Sequence, residues 1–146
     1  MVTRSSMAEW LGDLESGKGT IKFGSGAYSG PYTFKARIGT GTGPGTNPEE
    51  LIAAAHAGCF TMALSAQLSG TGHPPRRLNT TAKVQLDSIA GGFEISRINL
   101  ETEGDVPGIT PAEFQQAAES AKKNCPVSKA LAGPRIELKA TLLPAR

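Results

Sequence analysis

The reactive side chains of this 146-residue chain are few: two cysteines, Cys59 and Cys125, and two histidines, His56 and His73. Cys125 directly precedes Pro126, a pairing that breaks one helix and starts another, so the thiol sits at a helix N-terminus. There it meets unpaired N–H groups and the positive end of a dipole, both of which favour thiolate, the reactive form of the residue. The plainer alternative is a cap residue with no chemistry. Cys59 lies within Leu51–Leu64, an Ala-rich stretch in which a cysteine also reads as a small buried hydrophobe. His56, three residues earlier and so on a neighbouring helical face, could be the base of a cysteine hydrolase or half of a metal site. It reads equally as a packed or interfacial histidine. His73 falls in a turn and suggests nothing. Two cysteines fit neither a zinc site of four Cys/His ligands nor a disulfide-rich scaffold. Bonded to each other, they would close a loop of about 66 residues, worth roughly 4 kcal/mol in the chain-entropy picture.

The elements that must position these residues are readable from pattern. Residues 7–38 read as three short strands separated by glycine turns. In the last of them Tyr32, Phe34, Ala36 and Ile38 alternate with Thr33, Lys35 and Arg37, which turns Arg37 away from the apolar face. Gly39–Thr46 is a loop with four glycines in eight residues; it has neither the Lys and Ser/Thr of a phosphate-cradling loop nor the spacing of a dinucleotide fingerprint. A helix starts with Asn47 as N-cap, Pro48, Glu49 and Glu50, with Glu50 placed to close a capping box. It should run to about Leu68. The middle of this helix is apolar or small nearly all round, which implies burial on several sides and, in a chain this small, a second copy against it. Residues 79–87 alternate, with Thr80, Ala82, Val84 and Leu86 on one face, and form a hairpin with Phe93–Leu100, where a parity change predicts a bulge near Ser96–Arg97. Thr110–Glu113 is a capping box opening a second helix, a short turn follows Cys125–Pro126, and Ile136–Leu142 is a closing strand. The order is that of an α+β fold, with mostly antiparallel sheets packed around a long central helix in an intertwined homodimer.

Length and composition bound the function. At 146 residues, with 38% hydrophobic content, the chain fits a single domain over 1–146. A net charge of +2 from 15 basic and 13 acidic residues, spread along the chain, predicts no nucleic-acid partner, since phosphate neutralisation needs clustered positive charge. The N-terminal residues lack the apolar core of a secretory signal, so the expected address is cytoplasmic. The apolar run of about 16 residues at 51–66 falls short of a spanning segment and predicts no membrane role. In a reducing compartment a Cys59–Cys125 pairing would be chemical rather than structural.

Taken together, Asn47-Pro-Glu-Glu-Leu-Ile-Ala-Ala-Ala-His-Ala-Gly-Cys-Phe60, Met62-Ala-Leu-Ser65 and Asn124-Cys-Pro-Val-Ser128 resemble the OsmC/Ohr family of thiol peroxidases. The His-Ala-Gly-Cys-Phe wording is closer to the osmotically inducible protein C branch. The likeness extends over nearly the whole chain. Arg37 in Phe-Lys-Ala-Arg-Ile matches the family's active-site arginine, and Glu49 in Asn-Pro-Glu its glutamate partner. The resemblance implies a peroxidase that reduces organic hydroperoxides, and hydrogen peroxide more slowly. Cys59 would be peroxidatic and Cys125 resolving, an external dithiol would be the reductant, and no cofactor or metal would take part. Without the family, Arg37 would read as a solvated strand residue and Glu49 as dipole compensation in a first helical turn.

Two further expectations follow. Glu49 and Cys59 lie ten residues apart on one helix, about 15 Å along its axis. An Arg37 that touches both would therefore hold the Glu49 of a partner chain, making the active site intersubunit. Cys59 should lie in an apolar pocket lined by residues such as Phe60 and Leu51, with side chains of the second subunit. A redox sensor, an apolar ligand carrier and a Cys/His acyl hydrolase are the competing functions. Turnover separates the first two from a peroxidase, and loss of activity in His56→Ala would mark the third.

Overall fold

The structure is a computed structural model that describes residues 1–39 and 45–145. Most of the glycine-rich loop expected over Gly39–Thr46 lies outside the described residues. The chain divides into two compact units, Met1–Leu51 and Ile52–Arg146. Among the described residues the elements form two small sheets and a set of helices, the α+β class expected.

In the first unit β1 (Ser6–Leu11), β2 (Lys18–Phe23) and β3 (Ser29–Tyr32) form an antiparallel sheet in that order. Register places Trp10, Gly19 and Tyr32 in one cross-strand row. A Cβ on Gly19 would lie 2.3 Å from the Tyr32 ring and 2.7 Å from Trp10. Glycine is therefore what lets the two aromatic rings meet over the middle strand, with centroids 5.3 Å apart and planes tilted by 58°.

The third strand is shorter than the alternation predicted. Phe34–Ile38 is a helical turn, α1, whose N-cap Thr33 accepts a hydrogen bond from the Ala36 N–H at 3.1 Å. The Gly39 N–H closes it on the Lys35 carbonyl. Alternation over seven residues is a weak strand signal, and a capping threonine competes with it directly by satisfying a helical N–H. Arg37 therefore belongs to a helical turn rather than to the outer face of a strand.

The long helix α2 runs Pro48–Gly70, two residues beyond the expected end. Asn47 Oδ1 accepts the Glu50 N–H at 2.8 Å, which is the expected cap. At 23 residues the helix is long and apolar enough to cross a membrane by length and composition. Its buried residues, however, follow a protein-core spacing: His56, Phe60, Leu64 and Leu68 recur every four residues, each with no exposed surface. The face carrying Ala54, Ala55, Gly58 and Met62 is exposed, Met62 to 76%.

In the second unit β4 (Arg77–Ile89) and β5 (Gly92–Asp105) form the expected antiparallel hairpin. The register jumps from Gln85↔Arg97 to Leu86↔Ile95, leaving Ser96 as the extra residue where the bulge was expected. Helices α3 (Pro111–Asn124) and α4 (Pro126–Ala130) follow, the first opened by the complete Thr110/Glu113 capping box. β6 (Arg135–Leu142) then pairs parallel to β5, possible because α3 and α4 supply the long crossover that a parallel pair needs. Phe60, Leu64 and Leu68 of α2, Leu100 of β5 and Phe114, Ala118 and Ala121 of α3 form one buried cluster with Cys125. A run of hydroxyls, Thr61 Oγ1 to Thr80 Oγ1 at 2.8 Å and Thr80 Oγ1 to Thr102 Oγ1 at 2.9 Å, joins α2 to the hairpin.

Gly104 on β5 is the seat for Phe114. A Cβ there would come within 2.8 Å of the phenyl ring and 2.9 Å of Leu78, and the ring is only 1% exposed with nowhere to withdraw. Gly104→Ala should therefore cost about 1–3 kcal/mol by overpacking, read as a lower urea midpoint with an unchanged slope.

Candidate active site

The two cysteines are separated by 66 residues in sequence and come together in the second unit, with their Sγ atoms 3.0 Å apart and both thiols free. Each is placed by a different local device. Cys59 follows His56 and precedes Phe60 on α2, so the stripe that buries those two carries the thiol to the edge of the core, where it is half-buried. Cys125 ends α3 and caps α4, with its N–H bonded to the Ala121 carbonyl, and is fully buried. Pro126 stops the first helix by removing a donor and starts the second with its fixed φ.

Their surroundings push the two thiols in opposite directions. Burial drives the Cys59 pKa up and the neighbouring Cys125 sulfur adds to this, with the Val127 N–H opposing in part. Burial also acts to raise Cys125, but it is outweighed by the Cys59 thiol, the N–H and hydroxyl of Ser128 and the N–H of Val127, so that pKa is lowered. Cys125 thus stands at a helix N-terminus, with its pKa lowered.

His56 is completely buried, and its Nε2 lies 2.7 Å from Ser128 Oγ. Burial lowers its pKa, which keeps the ring neutral. Ser128 is 5% exposed and stands at the third position of α4. Ser128 closes the Asn124-Cys-Pro-Val-Ser128 motif, whose residue types alone assign it no part. The signal was its spacing, three residues after a helix cap and so on the same side of that turn.

In the first unit Arg37 and Glu49 form a bidentate pair. Arg37 Nε donates to Oε1 at 3.1 Å and Oε2 at 3.2 Å, and Nη2 donates to Oε1 at 2.9 Å. This fork leaves the carboxylate 8% exposed and the guanidinium 35% exposed. The Glu49 is that of the same chain, which corrects the expectation that a partner supplies it. The helical turn of α1, tied to the start of α2 by Asn47 Nδ2 donating to the Ala36 carbonyl at 3.0 Å, gives Arg37 a reach that a strand would not.

A cavity of about 430 Å³ opens beside Arg37, lined by Trp10, Leu14, Tyr32 and Phe34 among others. Tyr32 and Phe34 entered the sequence analysis only as apolar positions of an alternating segment, and Trp10 and Leu14 carry no sequence signal for a site. Phe60, expected in a pocket wall, is a core residue with no exposed surface. No group of three or more His, Cys, Asp or Glu is arranged to hold a metal among the described residues.

A family model for OsmC-like proteins matches residues 39–139. The chain is 45% identical over 131 residues, 89% of its own length and 90% of the relative's, to a protein named peroxiredoxin OsmC from Escherichia coli. It is 36% identical over 97 residues, 66% of each protein, to an organic hydroperoxide resistance protein from Xanthomonas axonopodis pv. citri. Among solved structures, an organic hydroperoxide resistance protein from Elizabethkingia anophelis aligns with a TM-score of 0.71 at 29% identity, covering 97% of this chain and 96% of that one. A Legionella pneumophila structure described as an organic hydroperoxide resistance protein OsmC shares the fold at a TM-score of 0.74 and 22% identity, over 99% and 100% of the two chains. With its cysteine motifs inside the matched region and the likeness extending along nearly its whole length, the chain belongs to the OsmC family.

Proposed function

We propose that this protein is a cysteine-based peroxidase that reduces organic hydroperoxides to alcohols, and hydrogen peroxide more weakly, in defence against oxidative stress. The observation that carries the reading is the approach of two free thiols to 3.0 Å, one at a helix N-terminus and one at the edge of a core. The names of the curated relatives, a peroxiredoxin and organic hydroperoxide resistance proteins, point the same way.

In this scheme the Cys59 thiolate attacks the terminal peroxide oxygen, the O–O bond breaks, and the alkoxide leaves and takes up a proton as alcohol. Cys59 becomes a sulfenic acid. Cys125, as thiolate, then attacks Cys59 Sγ. The S–O bond breaks, hydroxide leaves as water on taking a proton, and a Cys59–Cys125 disulfide remains. An external dithiol restores both thiols by two exchange steps.

The first step needs charge on Cys59, and burial opposes it. Arg37 is the cation we assign to that task, with Glu49 fixing the guanidinium plane and its free edge turned to the peroxide oxygens. Glu49 and Cys59 are ten residues apart on α2, about 15 Å along a helix. An Arg37 held by its own Glu49 is thus suited to the Cys59 of a second copy. The same assignment makes the protein a homodimer with intersubunit sites. The exposed Ala54, Ala55, Gly58 and Met62 face of α2 is the apolar surface a second copy would cover. Trp10, Leu14, Tyr32 and Phe34 are the side chains we assign to the alkyl part of the substrate. The expected location is the cytoplasm, where dithiol reductants are supplied.

Cys59→Ser should abolish turnover and leave no sulfenic acid. Cys125→Ser should permit one oxidation of Cys59 and no disulfide. Mass spectrometry of the peroxide-treated variants reads both, and repeated turnover by Cys59→Ser would overturn the roles.

The guanidinium should hold the Cys59 pKa below the free-thiol value of about 8.5, so Arg37→Met should move the thiolate absorbance titration to higher pH. An unchanged titration would remove Arg37 from the site.

In a dithiol-coupled assay, tert-butyl hydroperoxide should exceed hydrogen peroxide in kcat/KM by at least about tenfold. That ratio requires about 1.4 kcal/mol of differential binding, modest beside roughly 25 cal/mol per Å² of alkyl surface withdrawn from water. Light scattering should find a dimer. A monomer, or a preference for hydrogen peroxide, would contradict the proposal, and a single stoichiometric oxidation without turnover would favour a redox sensor.

A further inference from the structure

The peroxidase chemistry leaves one buried cluster unused. His56 and Ser128 are both inside the second unit, 72 residues apart in sequence, and their polar atoms meet at 2.7 Å. The other ring nitrogen, Nδ1, is buried without a hydrogen-bond partner among the described residues. A buried N–H with no acceptor is rarer, and costs more, than an unused lone pair. The neutral ring therefore carries its hydrogen on Nε2, and Nε2 donates to Ser128 Oγ. With an oxygen lone pair occupied in this way, the Ser128 hydroxyl hydrogen is free to turn elsewhere. Ser128 stands three residues after Cys125, the cap of α4, and so on the same side of that helical turn.

We infer that His56 is a positioning residue for the resolving half of the reaction: by donating to Ser128 Oγ it directs the Ser128 hydroxyl hydrogen onto Cys125 Sγ, holding that sulfur as the thiolate that attacks oxidised Cys59. The Ser128 hydroxyl is among the groups that lower the Cys125 pKa, in keeping with this direction. The inference rests on the resolving role proposed for Cys125. A hydrogen bond to the thiolate raises the fraction of thiol that is ionised and lowers its nucleophilicity by a smaller factor, since the Brønsted slope is only about 0.4–0.5. While the pKa lies above ambient pH, the net effect is a faster attack. In that attack the Sγ–Sγ bond forms, the S–O bond of Cys59 breaks and hydroxide leaves as water. His56 neither gains nor loses a proton, which distinguishes this role from a hydrolase base.

The test uses the full-length reduced protein in a single turnover with one equivalent of tert-butyl hydroperoxide. Two readouts are followed, peroxide consumption and disulfide formation, the second by acid quench, alkylation and mass. Ser128→Ala and His56→Leu should each slow disulfide formation about tenfold, the scale of losing one hydrogen bond to a charged group, with peroxide consumption within about twofold. The double variant should be no slower than the slower single one. His56→Gln, which keeps a donor at the Nε2 position, should recover most of the rate. Ser128→Ala removes one oxygen and guards against misfolding of the histidine variants. Disulfide formation at the wild-type rate in Ser128→Ala and His56→Leu, additive losses in the double variant, or a His56→Gln no better than His56→Leu would overturn the inference while leaving the peroxidase reading in place. If the wild-type protein consumed peroxide without forming the disulfide, the resolving role of Cys125 and this inference would fall together.

Discussion

The four-residue stripe of α2 is the constraint on which the second unit depends. His56, Phe60, Leu64 and Leu68 all point into one core, so the helix has a single rotation about its axis that buries them together. That rotation fixes where Cys59 goes. It lies next to Phe60, at the edge of the cluster, where it reaches the cap of α4 and also retains exposed surface. A thiol one position earlier would face outward with Gly58, and one position later it would occupy the core site of Phe60.

Bringing two thiols together is not enough for chemistry that treats them differently. The structure separates them electrostatically by placing one sulfur at the start of a helix, against N–H groups and a hydroxyl, and the other on the side of a helix where burial dominates. The oriented dipoles at α4 are part of the backbone and need no reorganisation when charge appears on Cys125. The side of α2 offers no equivalent, and burial there pushes the Cys59 thiol up. In the first unit the Arg37–Glu49 fork is built differently: the carboxylate is covered and fixed, and the guanidinium retains about a third of its surface.

Residue chemistry and tertiary geometry also divide at the cavity beside Arg37. The Trp10–Gly19–Tyr32 row is a consequence of strand register, since only a residue without a Cβ allows the two rings to close over β2. The resulting aromatic wall and Arg37 line one cavity, so an apolar surface and a cationic residue occur together. Neither property is visible in the local sequence of any one of the three strands.

Elements whose signals are local were legible in the residues alone. Asn47–Pro48 and Thr110–Glu113 marked helix starts because caps act within four residues, and the parity change near Ser96 marked the bulge because side chains alternate with a period of two. The Cys125–Pro126 step likewise announced a thiol at a helix N-terminus. Local signals failed where two were in competition, as at Phe34–Ile38, where a threonine cap overrode an alternating pattern and so changed what Arg37 could reach. Folding in three dimensions is what gives Arg37 the Glu49 of its own chain, puts Phe60 in the core rather than in a pocket wall, and brings His56 to Ser128 across 72 residues. Those outcomes depend on how helices are rotated and strands registered against one another, and such long-range packing leaves no periodic trace in the chain.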